Sequence, residues 1–380
     1  MAAAGAGAAA GLRRRHGRFR HLGSSPQHRA HARRPRAPRP ATVAAAAAGS
    51  VPVSRRGELL GILADGREHS GEELAAQLGI TRAAVWKQLQ GLEAWGLELV
   101  AQPRRGYRLA APLDLLDRRA IRRALPELAA ARLRRLEVHE ELASTSDALL
   151  AVADLPPGRC DVCLAEFQSA GRGRRGRQWL APYGAGLCLS LNWHWRDAPA
   201  GLAALSLAIG VAALTALRAQ GISGLALKWP NDILRDGAKL GGILIDLRAE
   251  AGGPTHAVIG LGLNVALPAA TRTTIAAQGL AAADLADLPA GQRRRNTLAA
   301  ALTGGLVVAL VEFTEQGFAP FDARWREADA LRDRPVRIER AGGFASGVAR
   351  GIDADGALLV DIDGRRERFV SGEVSLRPAA

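Results

Sequence analysis

The chain has 380 residues, 48% hydrophobic and 23% charged, which fits a soluble globular protein of two or three domains with a sizeable core. Its three Cys exclude a disulfide scaffold and point to a reducing compartment, and no stretch of about 18 apolar residues lacks a charge or a turn signal, so no membrane-spanning helix is expected. The net charge of +14 is not one field: residues 1–57 hold 12 Arg and no acid, whereas from Glu58 onward 39 basic residues meet 37 acidic ones, so any nucleic-acid contact by the body must be local.

Residues 1–53 are rich in Ala, Gly, Arg and Pro and have almost nothing large and apolar to bury, so a disordered basic tail is expected. An Arg-rich, acid-free start is compatible with an organelle transit peptide, a twin-arginine signal or a nucleic-acid-binding tail, although no convincing apolar segment accompanies the first two. A mis-assigned start is the fourth reading: Met1 is the only Met, and translation from a GTG codon near Val51 is expected.

Residues 54–112 form the next unit. Leu59, Leu60, Ile62 and Leu63 mark a first helix. Ser70 and Glu73 form a capping box for a second, Gly79 breaks it, and Thr81 caps a third, on which Val85, Leu89 and Leu92 make one buried stripe. Leu97–Val100 and Tyr107–Leu109 then read as a hairpin with Arg104 and Arg105 at its tip, giving a winged helix-turn-helix. Ser70, Thr81, Arg82, Trp86, Lys87, Gln90, Arg104 and Arg105 are the candidate DNA-binding residues, with the exposed face of the third helix in a major groove. The competing reading is a winged helix used for protein contacts, which an exposed Trp86 favours slightly.

Residues 113–332 are mixed α and β. Helices are expected over Asp114–Ala131, Leu202–Ala219 and Arg295–Glu315. Strands are expected over Val162–Phe167, Leu187–Trp193, Leu225–Trp229, Gly242–Leu247 and Ala257–Leu263, and residues 266–294 have no clear period. Residues 333–380 alternate in short runs between Gly-containing turns, which predicts a small barrel.

The chemistry concentrates in the middle unit. Gln168-Ser169-Ala170-Gly171-Arg172-Gly173-Arg174-Arg175-Gly176-Arg177, followed by Trp179, supplies close backbone approach from its glycines and bidentate donors from its arginines, and it lacks the Gly-Lys-Ser/Thr ending of a P-loop. Lys228-Trp229-Pro230-Asn231-Asp232 puts a Lys at a strand end, where it either bridges two anions or pairs with Asp232. The chain has only three Lys (Lys87, Lys228 and Lys239) against 48 Arg, so each marks a place where a compact charge is wanted or has survived by chance. Two Gly-bearing strands, around Lys239-Leu240-Gly241-Gly242 and Gly260-Leu261-Gly262-Leu263-Asn264, and the hydroxyl run Ser144-Thr145-Ser146 complete the candidates. Cys160 and Cys163 lack a second ligand pair for zinc and read as a loop Cys and a buried strand Cys.

Over residues 57–377 these motifs resemble the biotin–protein ligase family in its bifunctional form, which is also the biotin operon repressor. The resemblance implies an α+β multidomain chain: the winged helix, a catalytic domain like that of class II aminoacyl-tRNA synthetases, and a small SH3-like β-barrel. It implies a cytoplasmic ligase that uses ATP and Mg²⁺ to convert biotin to biotinyl-5′-AMP and then acylates one Lys of the biotin carboxyl carrier protein of acetyl-CoA carboxylase. It further implies operator binding, a homodimer when biotinyl-AMP is bound, and no membrane partner.

The resemblance places Ser144, Thr145, Ser146, Gln168, Arg172, Gly173, Arg174 and Lys228 at biotin. It places Arg174, Arg177, Asn231, Asp232 and Asn264 at the nucleotide, with Lys228, Arg172 and Arg174 catalytic and no residue assigned as a metal ligand. The family usually has Asn where Ser146 stands, and an aromatic in the adenine segment, here Gln278-Gly279-Leu280. A ligase whose winged helix no longer represses, a non-catalytic biotin sensor and a lipoate ligase are the alternative functions.

Overall fold

The computed structural model describes residues 54–249, 253–340, 343–370 and 375–378. The basic segment 1–53, with its expected disorder and late start, lies outside the described residues. Those described belong to one compact unit.

The first elements are set by local capping. Ser54 accepts a hydrogen bond from the Gly57 amide at the start of α1 (Arg55–Leu63). At α2 (Gly71–Leu78) the Ser70 oxygen accepts from the Glu73 amide at 3.1 Å, and the Glu73 carboxylate accepts from the Ser70 amide at 2.9 Å, which also holds that carboxyl below its ordinary pKa. Gly79, at φ +63°, ends α2, and Thr81 caps α3 (Arg82–Gln90). Leu59, Leu63, Leu74, Val85, Leu89 and Leu92 are buried together as a separate small core. β1 (Leu99–Gln102) and β2 (Gly106–Leu109) pair antiparallel to form the wing, with Arg104 at its tip at φ +67°. Tyr107 on the wing exchanges two backbone hydrogen bonds of 2.9 Å with His69, fixing the wing to the start of α2. Ser70→Ala is expected to cost α2 about 1 kcal/mol; amide hydrogen exchange over residues 71–78 should accelerate roughly fivefold, and unchanged exchange would deny the cap that role.

The single helix expected over Asp114–Ala131 is two short ones, α4 (Arg118–Arg123) and α5 (Glu127–Arg132). Pro126 between them has no amide to donate and disfavours helix at Leu125. The extended stretch before α4 is held by a buried ion pair. Glu166 accepts from the Leu116 amide at 2.5 Å and from Arg295 Nη1 at 2.6 Å, and Arg295 also donates to the carbonyls of Asp114 and Gly186.

A seven-stranded sheet follows. Its members are β3 (Leu133–Leu142), β4 (Cys160–Gln168), β5 (Gly186–Trp195), β6 (Leu225–Lys228), β7 (Asp232–Arg235), β8 (Ala238–Ala249) and β9 (Thr255–Asn264), in the order β3-β4-β5-β9-β8-β7-β6. Only β3–β4 is parallel among these pairings; the rest are antiparallel. The helices of this region are α6 (Thr145–Leu150), α7 (Leu205–Ala219), α8 (Ala269–Ala277), α9 (Arg295–Gln316) and α10 (Ala319–Ala328). Successive strand residues face opposite sides. Val162 and Leu164 join the main core with α7 and α9, whereas Cys163 joins Leu149 of α6 in a second cluster. The sheet therefore has a helix-covered face and a face that α6 shares with open space.

Residues 202–219, which include α7, and α9 are each long and apolar enough to cross a membrane by length and composition alone, but each carries a charge and glycine and is mostly buried in this core. Cys160 begins β4 and is buried rather than in a loop; burial pushes its thiol, and that of Cys188, up to about 12.

The last strands are β10 (Pro335–Arg340), β11 (Gly343–Ile352), β12 (Leu358–Ile362), β13 (Arg365–Phe369) and β14 (Ser375–Pro378), in the order β13-β12-β11-β10-β14. Among the described residues β13 and β14 do not pair, so these strands form an open sheet and not the closed barrel expected. Val336, Ile338, Leu358 and Val360 enter the same core as the central sheet. The turn before β12 also touches the Lys-Trp-Pro-Asn-Asp segment: Trp229 Nε1 donates to the Gly356 carbonyl at 3.0 Å.

Candidate functional site

The open face of the central sheet holds one cavity, and every residue proposed from the sequence for biotin or nucleotide lines it: Ser144, Thr145, Ser146, Gln168, Arg172, Gly173, Arg174, Arg177, Lys228, Asn231, Asp232 and Asn264. Its floor is made by omission. Ser190 and Cys188 of β5 lie opposite Gly260 and Gly262 of β9. A Cβ on Gly260 would stand 2.7 Å from Ser146 Oγ, and one on Gly262 would stand 2.4 Å from the Trp179 ring. Only glycine leaves room there for a hydroxyl on one side and an indole on the other.

The hydroxyl end is a connected, buried set. Ser144 caps α6 by accepting from the Asp147 amide. Gln168 Oε1 accepts from the Thr145 amide at 2.7 Å and from its hydroxyl at 3.0 Å, while Ser190 Oγ lies 2.7 Å from Thr145 Oγ1 and 3.0 Å from Ser146 Oγ. Hydroxyls both donate and accept, so such a set presents several directed partners to a polar ring. Ser146 Oγ lies so close to Gly260 that no side chain fits on that glycine. Ser190 was not singled out in the sequence; its signal is a polar residue, with Asn192 the other, inside the otherwise apolar run Leu187–Trp193.

The Gly/Arg loop folds over the opening. The Gly173 amide donates to the Arg177 carbonyl at 2.7 Å, the Trp179 amide to the Gly171 carbonyl at 2.9 Å, and a Cβ on Gly171 would stand 2.5 Å from the Trp179 oxygen. Arg172 reaches two elements at once, with Nη2 at 2.8 Å from Asp147 on α6 and at 2.8 Å from Asp246 on β8. Arg174 Nη1 lies 3.4 Å from Asn231 Oδ1, tying the loop to the Lys-Trp-Pro-Asn-Asp segment, and burial beside the like charge of Arg175 pulls its guanidinium below its ordinary pKa.

At the far end Asn231 donates to the Ile243 carbonyl at 2.7 Å and Asn264 to the Ala283 carbonyl at 3.0 Å. Asp232 is held at 2.6 Å by Lys239, whose ammonium also lies 5.8 Å from the Trp179 ring. Lys239 is thus a member of the site that its motif alone signalled only weakly. No aromatic stands in the segment after α8; Ile275, Gln278 and Leu280 line the cavity there and offer apolar surface to a flat ring. Asp232 is the one carboxylate among the described lining residues. Mg²⁺ is commonly held by one or two carboxylates and completed by substrate phosphates; Asp232, shared here with Lys239, would offer the one protein carboxylate, with the phosphates supplying the rest. The arrangement suits two anions brought together under fixed cations.

Two of the three lysines line this cavity; Lys87 lies on the other candidate surface. There Arg82, Trp86, Lys87 and Gln90 of α3 and Arg104 and Arg105 of the wing are all exposed, as expected. Ser70 and Thr81 use their hydroxyl oxygens as helix caps, each accepting one amide, which leaves the hydroxyl proton and one lone pair for an outside partner. The winged helix packs on the central unit through Trp95, stacked on Tyr183 with ring centres 4.9 Å apart.

Comparisons with known proteins agree with this layout. Residues 144–264 match the Biotin/lipoate A/B protein ligase family, residues 55–108 an HTH domain and residues 333–377 the Biotin protein ligase C terminal domain. The chain is 39% identical over 322 residues to the bifunctional ligase/repressor BirA of Salmonella typhimurium, covering 84% of this chain and 97% of that protein. It is 35% identical over 255 residues to the biotin–[acetyl-CoA-carboxylase] ligase of Mycobacterium tuberculosis, covering 63% of this chain and 88% of that one. The fold matches the biotin protein ligase from Aquifex aeolicus in complex with biotin and ATP, with a TM-score of 0.53 and 24% identity, over 65% of this chain and all of that structure. With a winged helix ahead of the ligase cavity and the family's C-terminal domain after it, the chain belongs to the bifunctional ligase/repressor family of biotin–protein ligases.

Proposed function

We propose that the cavity joins biotin to ATP and passes the acyl group to a Lys of the biotin carboxyl carrier protein of acetyl-CoA carboxylase. The observation that carries this reading is the convergence of Lys228, the Gly/Arg loop and the buried hydroxyl set in one cavity. The biotin carboxylate attacks the α-phosphorus of ATP, forming biotinyl-5′-AMP and releasing pyrophosphate. The carrier's amine then attacks the acyl carbon, AMP leaves, and the amine gives up a proton.

Ser144, Thr145, Ser146 and Gln168 hold the biotin head group, and the cations of Lys228, Arg172 and Arg174 offset the repulsion between carboxylate and phosphate. Arg177, Asn231, Asp232 and Asn264 surround the nucleotide. When bound, Mg²⁺ neutralises phosphate charge, with Asp232 and Asn231 as its protein-side neighbours. No side-chain nucleophile is required, because the acceptor amine arrives on another protein. The domains run 54–112, 113–332 and 333–380, the last with an SH3-like strand arrangement and the middle related to class II aminoacyl-tRNA synthetases. The enzyme works in the cytoplasm.

The winged helix binds operator DNA and represses biotin synthesis genes, as a homodimer when biotinyl-AMP fills the cavity. The basic recognition surface on a nearly neutral body supports this: no Asp or Glu occurs between Arg82 and Gln90 or between Leu99 and Leu109. The direct test is labelling of a purified carrier domain by the purified chain with ATP and either biotin or lipoate. Biotin-dependent labelling of one Lys, with pyrophosphate release, is expected. Labelling with lipoate only, or ligand binding without pyrophosphate release, would replace this reading with the lipoate ligase or the non-catalytic sensor.

A further inference from the structure

Trp86 is 46% exposed, on a helix whose other large apolar residues are buried. It stands one turn from Arg82 and one turn from Gln90, in the middle of the face that α3 presents to solvent, while Val85 and Leu89 behind it are 1% exposed. A single exposed apolar side chain is ordinary on a protein surface; what sets this indole apart is that it is propped in place on a basic face.

The indole is held in place. Its ring centre lies 6.0 Å from that of Tyr107 on β2, with the planes tilted by 36°. Tyr107 is itself clamped through its two backbone hydrogen bonds to His69, and its ring passes so close to Gly71 that a Cβ there would touch Tyr107 Cε2 at 3.4 Å. Arg82 is steadied by Glu72 at 3.1 Å. The result is a propped apolar plate ringed by Arg82, Lys87, Gln90 and the wing arginines.

The cations of Arg82, Lys87, Arg104 and Arg105 on this face, two of them paired with Glu72 and Glu68 at 3.1 and 3.7 Å, select a polyanion as the occupant. Among the base edges of a major groove, the group that offers apolar surface is the thymine C5-methyl. We propose that Trp86 is a specificity-determining residue that packs on a thymine methyl in the major groove, so that the operator carries a T·A pair opposite the middle of α3. The inference rests on the DNA-binding reading above.

The experiment uses the full chain with biotin and ATP present. Duplexes are selected from a random 40-base-pair pool, and the selected duplex is then re-made with deoxyuridine at each thymine in turn, which removes only the methyl. At one or two positions per half-site, deoxyuridine is expected to weaken wild-type binding about fourfold per methyl, the scale of one buried carbon. Trp86→Ala, checked for folding by its circular dichroism, should bind the thymine and deoxyuridine duplexes equally while keeping the wild-type slope of affinity against salt, because phosphate contacts are intact. Lys87→Ala should instead reduce that slope by about one.

A wild type indifferent to deoxyuridine at every position, or a Trp86→Ala protein that still discriminates, overturns the proposal. Loss of self-association with no change in DNA discrimination also overturns it, assigning Trp86 to a protein contact. If selection yields no duplex at all, the DNA-binding reading itself fails and the proposal with it.

Discussion

Replacing Lys228 with Arg is expected to lower biotin-dependent ATP–pyrophosphate exchange by a factor of about 10²–10³, as large as the loss of a preorganised donor at a developing oxyanion. Both side chains are cationic, so the loss would come from shape. Lys228 ends β6, lines the cavity and directly precedes Trp229, which is 2% exposed and anchored to Gly356. Its position along the cavity wall is therefore set by the backbone, with little room for adjustment. A compact ammonium can lie between a carboxylate and a phosphate; a guanidinium is a wide planar fork that prefers two oxygens of one group. Asp232, the cross-strand neighbour of Lys228 on β7, also meets Lys239 at 2.6 Å, so this wall of the cavity is fixed from both sides. Exchange at the wild-type rate in Lys228→Arg would sink the assignment, and a thermal midpoint equal to wild type should accompany the loss if folding is not its cause.

Replacing Arg174 with Gly is expected to uncouple the two half-reactions. Biotinyl-adenylate should still form, more slowly, because the cations of Lys228 and Arg172 remain, but it should escape into solution and label bystander lysines. The Gly/Arg loop is closed by its own backbone between Gly171 and Trp179, and Arg172 ties it to Asp147 and Asp246. Arg174 is its tie to the Lys-Trp-Pro-Asn-Asp segment, through Asn231. Losing that tie weakens the seal against water more than it weakens the hydroxyl set that grips the far end of the ligand. Acyl-adenylates hydrolyse readily, so exclusion of water is what retains them. Mass spectrometry of free biotinyl-AMP and of an added bystander protein reads the outcome. A variant that is simply inactive, with no adenylate in solution, would show that Arg174 acts in adenylate formation and not in closure.

Much of this protein was legible without coordinates wherever one short segment holds the whole signal. The Ser70–Glu73 capping box, the Gly79 stop, the Thr81 cap and the buried Val85 and Leu89 each need only a few consecutive residues and appear as expected; Leu92 is buried with them but lies past the end of α3 at Gln90. The motifs that line the cavity were legible for the same reason, because glycine and arginine at such density in one loop have few structural uses. β3 was not assigned, because Leu133–Leu142 is an edge strand whose charged residues leave no clean alternation. The helix expected through Leu125-Pro126 broke at the proline, a signal present in the sequence and under-weighted.

By itself, then, the amino-acid sequence determined the winged helix, the residues of the candidate site and the family, because hydrogen bonds between near neighbours and dense local motifs carry that information. Tertiary structure alone decided that Gly260 and Gly262 form a floor, that Ser190 joins Thr145 and Ser146, that Asp232 goes to Lys239, and that Arg172 spans Asp147 and Asp246. It also decided that the last five strands stay open and share the central core. Apart from the Asp232–Lys239 pair on neighbouring hairpin strands, each of those facts is a meeting of residues far apart in the chain. Strand register and side-chain packing decide such meetings, and neither composition nor periodicity records which strand lies beside which.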